Sequence, residues 1–217
     1  MSTQQIAAWQ GDFGQTYTER NSRTVGQLDE LYRNNYGSTR TSLNQRFLAD
    51  IPCDAHILEV GCNVGNQLSL LQHMGYKRLA GIEIQHHALA IAQSQLPTAS
   101  LVQASALQLP FPDNCFDMVF TSGVLIHIAP QNLPEAMGEI HRCTAKYIWG
   151  FEYYSPELTE VEYRGKRGLL WKSDYAKMYR ERFSDLENVQ TEQVRYVESA
   201  NVDCMFLLAK GEQQRVR

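Results

Sequence analysis

The chain has 217 residues, 43% hydrophobic and 20% charged, with a formal net charge of −4. That is the make-up of one soluble globular domain with at most a small appendage. The acidic balance gives no global field for nucleic acid, and no apolar run approaches the roughly 18 to 20 residues of a membrane span. Residues 1–5 lack the basic and apolar stretches of a signal peptide. Five cysteines without metal-ligand spacing read as free thiols. A cytoplasmic protein with no bound metal is expected.

In chain order, the first 50 residues are polar and aromatic. Helical spacing appears around residues 27–36 and 41–50, and Pro52 stops the second helix. This segment reads as a helical cap or lid, with Trp9, Phe13, Tyr17, Arg20 and Asn21 closing over whatever the core binds. From Ala55 the pattern alternates between strand and helix. Strands are expected at residues 56–60, 78–84, 99–103, 116–122, 147–153, 192–198 and 202–209. Helices are expected at 65–74, 87–95, 133–142 and 173–182, and the slot at 104–114 is short and turn-like. Alternation of this kind specifies a parallel sheet with helices on both faces. Only Ser199-Ala200-Asn201 separates the last two strands, too short for a parallel crossover, so that pair must be antiparallel. The expected organisation is a cap at 1–50, an α/β core at 51–211 and a polar tail at 212–217.

Two segments carry the chemistry. The first strand ends in Glu59-Val60-Gly61-Cys62-Asn63-Val64-Gly65, where small turn-forming residues leave the backbone bare. About 24 residues beyond Glu59, Glu83 closes the second strand, the distance at which an acid hydrogen-bonds ribose hydroxyls. Together they indicate a nucleoside cofactor. Two further segments follow: Ala104-Ser105-Ala106-Leu107-Gln108-Leu109-Pro110-Phe111, and Phe116-Asp117-Met118-Val119-Phe120-Thr121-Ser122-Gly123-Val124-Leu125-Ile126-His127.

In this order and spacing, the four segments resemble the S-adenosylmethionine-dependent methyltransferases of the Rossmann-like class. The resemblance implies a Rossmann-like, mostly parallel seven-stranded sheet with an antiparallel C-terminal hairpin. It also implies S-adenosyl-L-methionine as methyl donor and S-adenosyl-L-homocysteine as product. There are two departures. Asn63 stands where the family usually has glycine, and Asn is the other residue that tolerates positive φ. Ser105 stands where many members have Asp, which shifts adenine recognition toward backbone and Leu107. The runs from Trp9 to Asn21, Phe151 to Pro156, Tyr163 to Gly165 and Leu170 to Tyr175 are similar to a bacterial subgroup, the pseudaminic acid biosynthesis-associated methylases. That points to a small acceptor such as a sugar, a nonulosonate or a modified amino acid.

On this reading Glu59, Gly61, Cys62, Asn63 and Gly65 surround the methionine end of the cofactor. Glu83 and Ile84 take the ribose, and Ser105, Ala106 and Leu107 flank the adenine. Ser122 and Gly123, just beyond the fourth strand, face the methionine end, and Tyr17 and Arg20 close from the lid. His127 is the candidate base, because a neutral imidazole can accept a proton from a hydroxyl or an amine. Glu152 and Tyr153 complete the catalytic candidates. Trp9, Phe13, Asn21, Tyr153, Tyr154, Tyr163, Arg164, Trp171 and Lys172 are the acceptor-binding candidates, since loops after parallel strands line the ligand crevice. The partner is then a small-molecule acceptor, a sugar or a carboxylate-bearing metabolite, with a monomer and a homodimer both open. Rival readings are a nucleic-acid or protein methyltransferase and a non-catalytic cofactor-binding protein. Thr121-Ser122-Gly123-Val124 resembles neither the Asn/Asp-Pro-Pro-aromatic nor the Pro-Cys turn of the nucleic-acid enzymes, which speaks against the first.

Overall fold

The computed structural model describes residues 4–211, so the tail assigned to 212–217 lies outside the described residues. Four helices come first: α1 (Gln4–Gln10), α2 (Asp12–Asn21), α3 (Val25–Tyr36) and α4 (Arg40–Phe47). Their ends follow from local chemistry. Thr24 caps α3 in a reciprocal box with Gln27, and Gly37 ends it in the left-handed conformation at φ 69°. Thr39 caps α4 through Ser42 N–H.

The core alternates β1 (His56–Val60), α5 (Asn66–His73), β2 (Arg78–Glu83), α6 (His86–Gln95), β3 (Ser100–Gln103), β4 (Phe116–Ser122), α7 (Leu133–Cys143) and β5 (Thr144–Tyr153). A 3-10 turn at Leu125–His127 follows β4. Short strands β6 (Thr159–Glu160) and β7 (Trp171–Lys172) form a separate ribbon, then come α8 (Tyr175–Arg182), β8 (Leu186–Arg195) and β9 (Val202–Lys210). The seven-stranded sheet runs β3-β2-β1-β4-β5-β9-β8. β1 to β5 are mutually parallel, and β9 is antiparallel to both neighbours. The expected fold class is therefore the observed one.

Sequence and structure part company at particular ends. β5 begins at Thr144 rather than Tyr147, because α7 feeds straight into it. β8 lies at 186–195 rather than 192–198. It is an edge strand whose exposed side chains carry little apolar alternation. The hairpin loop is 196–201, closed by Tyr196 N–H on Asn201 O. The ribbon β6–β7 has no counterpart among the expected strands.

Period-two alternation sorts the strand side chains onto two faces. Leu58, Val60, Val119, Phe206 and Leu208 pack with α7 and α8 residues such as Met137, Ile140, Tyr175 and Tyr179. Ile57, Met118, Phe120, Trp149, Phe151, Met205 and Leu207 pack with Leu43 and Phe47 of α4 and Leu68 and Leu71 of α5. Strand order reverses between β1 and β4, so the crevice at their carboxyl ends is the place where α/β sheets bind ligands.

Candidate functional site

The turn after β1 takes the conformation its residues allow. Gly61, Asn63 and Gly65 have φ of 74°, 47° and 82°. A Cβ on Gly61 would stand 2.7 Å from Val124 Cγ2, so the residue is small for packing as well as for φ. Glu83 holds this turn. Its Oε2 accepts Asn63 N–H at 2.9 Å, and its Oε1 accepts Ile84 N–H at 2.8 Å and Gln85 N–H at 3.0 Å. Burial raises the Glu83 pKa, and these three N–H groups pull it back.

α2 sits on the same junction. Asn63 Nδ2 donates to Thr18 Oγ1 at 2.9 Å, and Thr18 donates to Gln85 Oε1 at 3.3 Å. The Trp9 ring lies 4.5 Å from the His127 ring, with Phe13 and Tyr17 edge-on to Trp9. Tyr163, in the loop between β6 and β7, approaches His127 at 5.4 Å from another side.

His127 ends the 3-10 turn after β4. Its Nδ1 lies 2.7 Å from Leu169 O, and a carbonyl only accepts, so Nδ1 carries the proton and Nε2 keeps its lone pair. Burial lowers the His127 pKa to about 4 against that bond, so the ring is neutral at physiological pH. Glu152 lies behind the turn rather than in the crevice. Its oxygens accept Val124 N–H at 3.1 Å and Ile126 N–H at 3.4 Å. Burial raises its pKa to about 7, with those N–H groups opposing. It thus holds the loop that presents His127.

Two cavities meet at Gly61, Asn63, Ser122, Gly123, His127 and Tyr17. One, of about 170 Å³, reaches Glu83, Ile84, Ser105, Ala106, Leu107 and Trp9. The other, of about 260 Å³, reaches Glu59, Cys62, Asn21, Tyr153 and Tyr163. Most candidates from the sequence therefore converge.

Others do not line either cavity. Gly65 caps α5 from behind, and exposed Arg20 donates to Thr16 O. Phe13 packs on Trp9 and Tyr163, and Arg164 stacks on Tyr163 from outside. Lys172 is bonded to Asn201 at 2.6 Å and lies over the Tyr153 ring. Trp171 is a buried core residue whose carbonyl accepts the Tyr175 hydroxyl, and Tyr154 pairs with Val202 through its backbone. The second cavity is also walled by Arg23, Tyr32, Tyr36, Tyr196 and Asp203, which sequence reasoning missed. Two signals were there: Tyr32 and Tyr36 share a helix face four residues apart, and Asp203 interrupts an apolar strand.

Several buried polar atoms around this crevice have no hydrogen-bond partner among the described residues. They are Glu59 Oε2, Asn63 Oδ1, Gln67 Oε1 and Asp203 Oδ1 at the second cavity, and Trp9 Nε1 at the first. Glu59 shares the sheet face of Ile57, and burial raises its pKa well above the ordinary range even though the buried Arg40 guanidinium lowers it.

Residues 58–147 match a family model described as a methyltransferase domain. The chain is 31% identical over 86 residues to an uncharacterised methyltransferase of Synechocystis, covering 40% of each. It is 29% identical over 162 residues to a phosphatidylethanolamine N-methyltransferase of Cereibacter sphaeroides, covering 67% of this chain and 77% of that one. The chain spans about two fifths of the length of the curated relatives matched on the shorter segment. Among solved structures, the 1,6-didemethyltoxoflavin-N1-methyltransferase of Burkholderia thailandensis superposes with a TM-score of 0.71 at 14% identity. The match covers 98% of this chain and 92% of that one, and that structure holds 1,6-didemethyltoxoflavin and S-adenosylhomocysteine. The chain thus carries a methyltransferase-domain signature at residues 58–147 on a Rossmann-like methyltransferase fold.

Proposed function

We propose that the protein is an S-adenosylmethionine-dependent methyltransferase that modifies a small polar acceptor. The observation that carries the reading is the convergence of unpartnered buried polar atoms on the crevice where strand order reverses. Buried polar groups are ordinarily satisfied, so this set fits a polar ligand lying across both cavities. The methyltransferase-domain match and the names of the relatives support the same cofactor.

The residues fit that group. Glu83 has accepting capacity left beside its three N–H partners and lines the first cavity, where a ribose diol would be held. Ser105, Ala106 and Leu107 offer a small polar and apolar wall for adenine. Asn63, where the cavities join, and Glu59, in the second cavity, carry acceptors without a partner among the described residues, suited to a ligand ammonium. When bound, S-adenosylmethionine supplies an electrophilic methyl group on a sulfonium.

The chain's own part is to hold the acceptor in line and exclude water. His127 Nε2 stands at the junction of the cavities with a free lone pair, placed to take a proton from the acceptor. Glu152 positions it through the 3-10 turn, and Trp9 with Tyr163 screens it from solvent. Tyr153 walls the second cavity as an acceptor-binding residue. The likeness of the segments around Trp9, Tyr153, Tyr163 and Trp171 to the pseudaminic acid biosynthesis-associated methylases supports a sugar-like or carboxylate-bearing acceptor. The five cysteines are unpaired, in keeping with a cytoplasmic site of action.

Incubation with methyl-labelled S-adenosylmethionine and a panel of sugars, amino sugars and amino acids tests the reading. Transfer of label to a panel member supports it. Tight S-adenosylhomocysteine binding with no transfer to any acceptor would leave a cofactor-binding protein instead.

A further inference from the structure

The second cavity ends in a group of side chains assigned no part in holding the cofactor. Asp203, on β9, is 1% exposed and stands opposite Tyr153 in the sheet register. Its Oδ2 accepts the Tyr36 hydroxyl, while its Oδ1 is buried with no hydrogen-bond partner among the described residues. The Tyr36 and Tyr196 oxygens are 2.9 Å apart. Tyr36 has a single hydroxyl proton, and a carboxylate only accepts, so that proton goes to Asp203. Tyr196 belongs to the same group, since it also interacts with the Asp203 carboxylate and with Tyr153.

Asp203 has no ion-pair partner among the described residues. Arg40 and Lys172 lower its pKa through space without forming an ion pair with it. Arg40 donates to Asn44 and Tyr32 and lies over the Phe151 ring at 4.5 Å, and Lys172 is held by Asn201. Burial raises the Asp203 pKa to about 6, so at neutral pH it is mostly a carboxylate. A buried anion in a wall of tyrosine rings (Tyr32, Tyr36, Tyr153, Tyr163 and Tyr196) thus has no cation in direct contact among the described residues.

Three ligand chemistries can be weighed. An anionic group is repelled by Asp203. A hydroxyl supplies one proton and gains little from the rings. An amino group supplies two or three protons, makes a charge-assisted bond when protonated and is attracted to tyrosine faces. We propose that the tyrosine-lined end of the second cavity binds the amino group of an amine-bearing methyl acceptor, with Asp203 as its anchor. This rests on the methyltransferase reading and narrows its substrate class.

The test compares probes in which NH₂ replaces OH: glucosamine with glucose, serinol with glycerol, and tyramine with 2-(4-hydroxyphenyl)ethanol. Each is titrated into protein saturated with S-adenosylhomocysteine at neutral pH and read by ligand-observed NMR. At least one amine should bind about tenfold or more tightly than its alcohol. Asp203→Asn should abolish that preference while leaving S-adenosylhomocysteine affinity intact. Tyr196→Phe, which leaves the carboxylate in place, should retain it. Equal binding of every pair, no binding of any amine, or a preference that survives Asp203→Asn would overturn the assignment. Failure of wild-type protein to bind S-adenosylhomocysteine would strike the cofactor reading instead. The amine preference would then be read in the unloaded protein, where the same direction is expected.

Discussion

Asn63 N–H donates to Glu83 Oε2 at 2.9 Å, so the left-handed turn after β1 and the acid ending β2 form one unit. The Asn63 side chain continues that unit into α2 through Thr18. One residue therefore sets the backbone path at the crevice and fastens α2 to it.

Replacement of Asn63 separates these two roles. Asn63→Ala places a Cβ residue without local polar compensation at φ 47° and removes the bond to Thr18. It should destabilise the protein by about 1–2 kcal/mol. Asn63→Gly relieves the strain and loses only the side-chain bond, so its change should stay within about 1 kcal/mol. Urea denaturation of both variants checks the order; equal losses would contradict a strained turn.

Glu152 makes stability depend on pH. Its folded pKa, about 7, is above its ordinary value of 4.5. Its contribution is therefore fully present below 4.5 and is lost as pH rises through about 7, a change on the order of 3 kcal/mol. Asp203, raised to about 6, acts in the same sense at somewhat lower pH. His127, lowered to about 4, acts in the opposite sense, losing stability as pH falls from 6.5 through 4. Subtracting the Glu152→Gln curve from wild type isolates the first effect. Wild type should lose about 3 kcal/mol more than the variant between pH 4.5 and 7.5. Parallel curves would show that Glu152 titrates normally.

The His127 reading makes a kinetic prediction. Because the ring is already neutral well below pH 6.5, the pH profile of kcat/KM should show no step near 6.5 that His127→Asn removes. Asn also preserves a donor for Leu169 O. If Nε2 accepts the acceptor's proton, kcat in this variant should fall by about 10²-fold, with donor affinity little changed. A fall within about threefold would reduce His127 to shaping the site.

Trp9 covers the His127 ring and edges the first cavity. If α1 and α2 act as a lid, Trp9→Ala should speed S-adenosylhomocysteine release by up to about tenfold, matching the roughly 0.5–1.5 kcal/mol of an aromatic contact. Stopped-flow displacement measures this; an unchanged release rate would make the helix a packing element.

The elements easiest to read in the sequence were those whose burial leaves a pattern. β1, β2 and β4 are nearly continuous apolar runs because both sheet faces are covered. β8 was misplaced because an edge strand needs only one packed face, and its apolar signal is sparse. Glu152 and Tyr153, both expected at the site, are separated by strand alternation. Adjacent residues point to opposite faces, so Glu152 stands over Cys204 while Tyr153 stands over Asp203. Tyr36, Tyr196 and Asp203 come from α3, the β8–β9 loop and β9, and only the antiparallel hairpin brings them together. No local motif encodes that meeting.

The central claim is that the crevice at the ends of β1, β2 and β4 holds S-adenosylmethionine through Glu83. Calorimetric titration of S-adenosylhomocysteine into wild type and Glu83→Ala tests it most directly. The account predicts saturable binding to wild type and a loss of about 1–3 kcal/mol in the variant, in which Asn63, Ile84 and Gln85 N–H also lose their acceptor. No binding to wild type, or equal affinity in the two proteins, would contradict it.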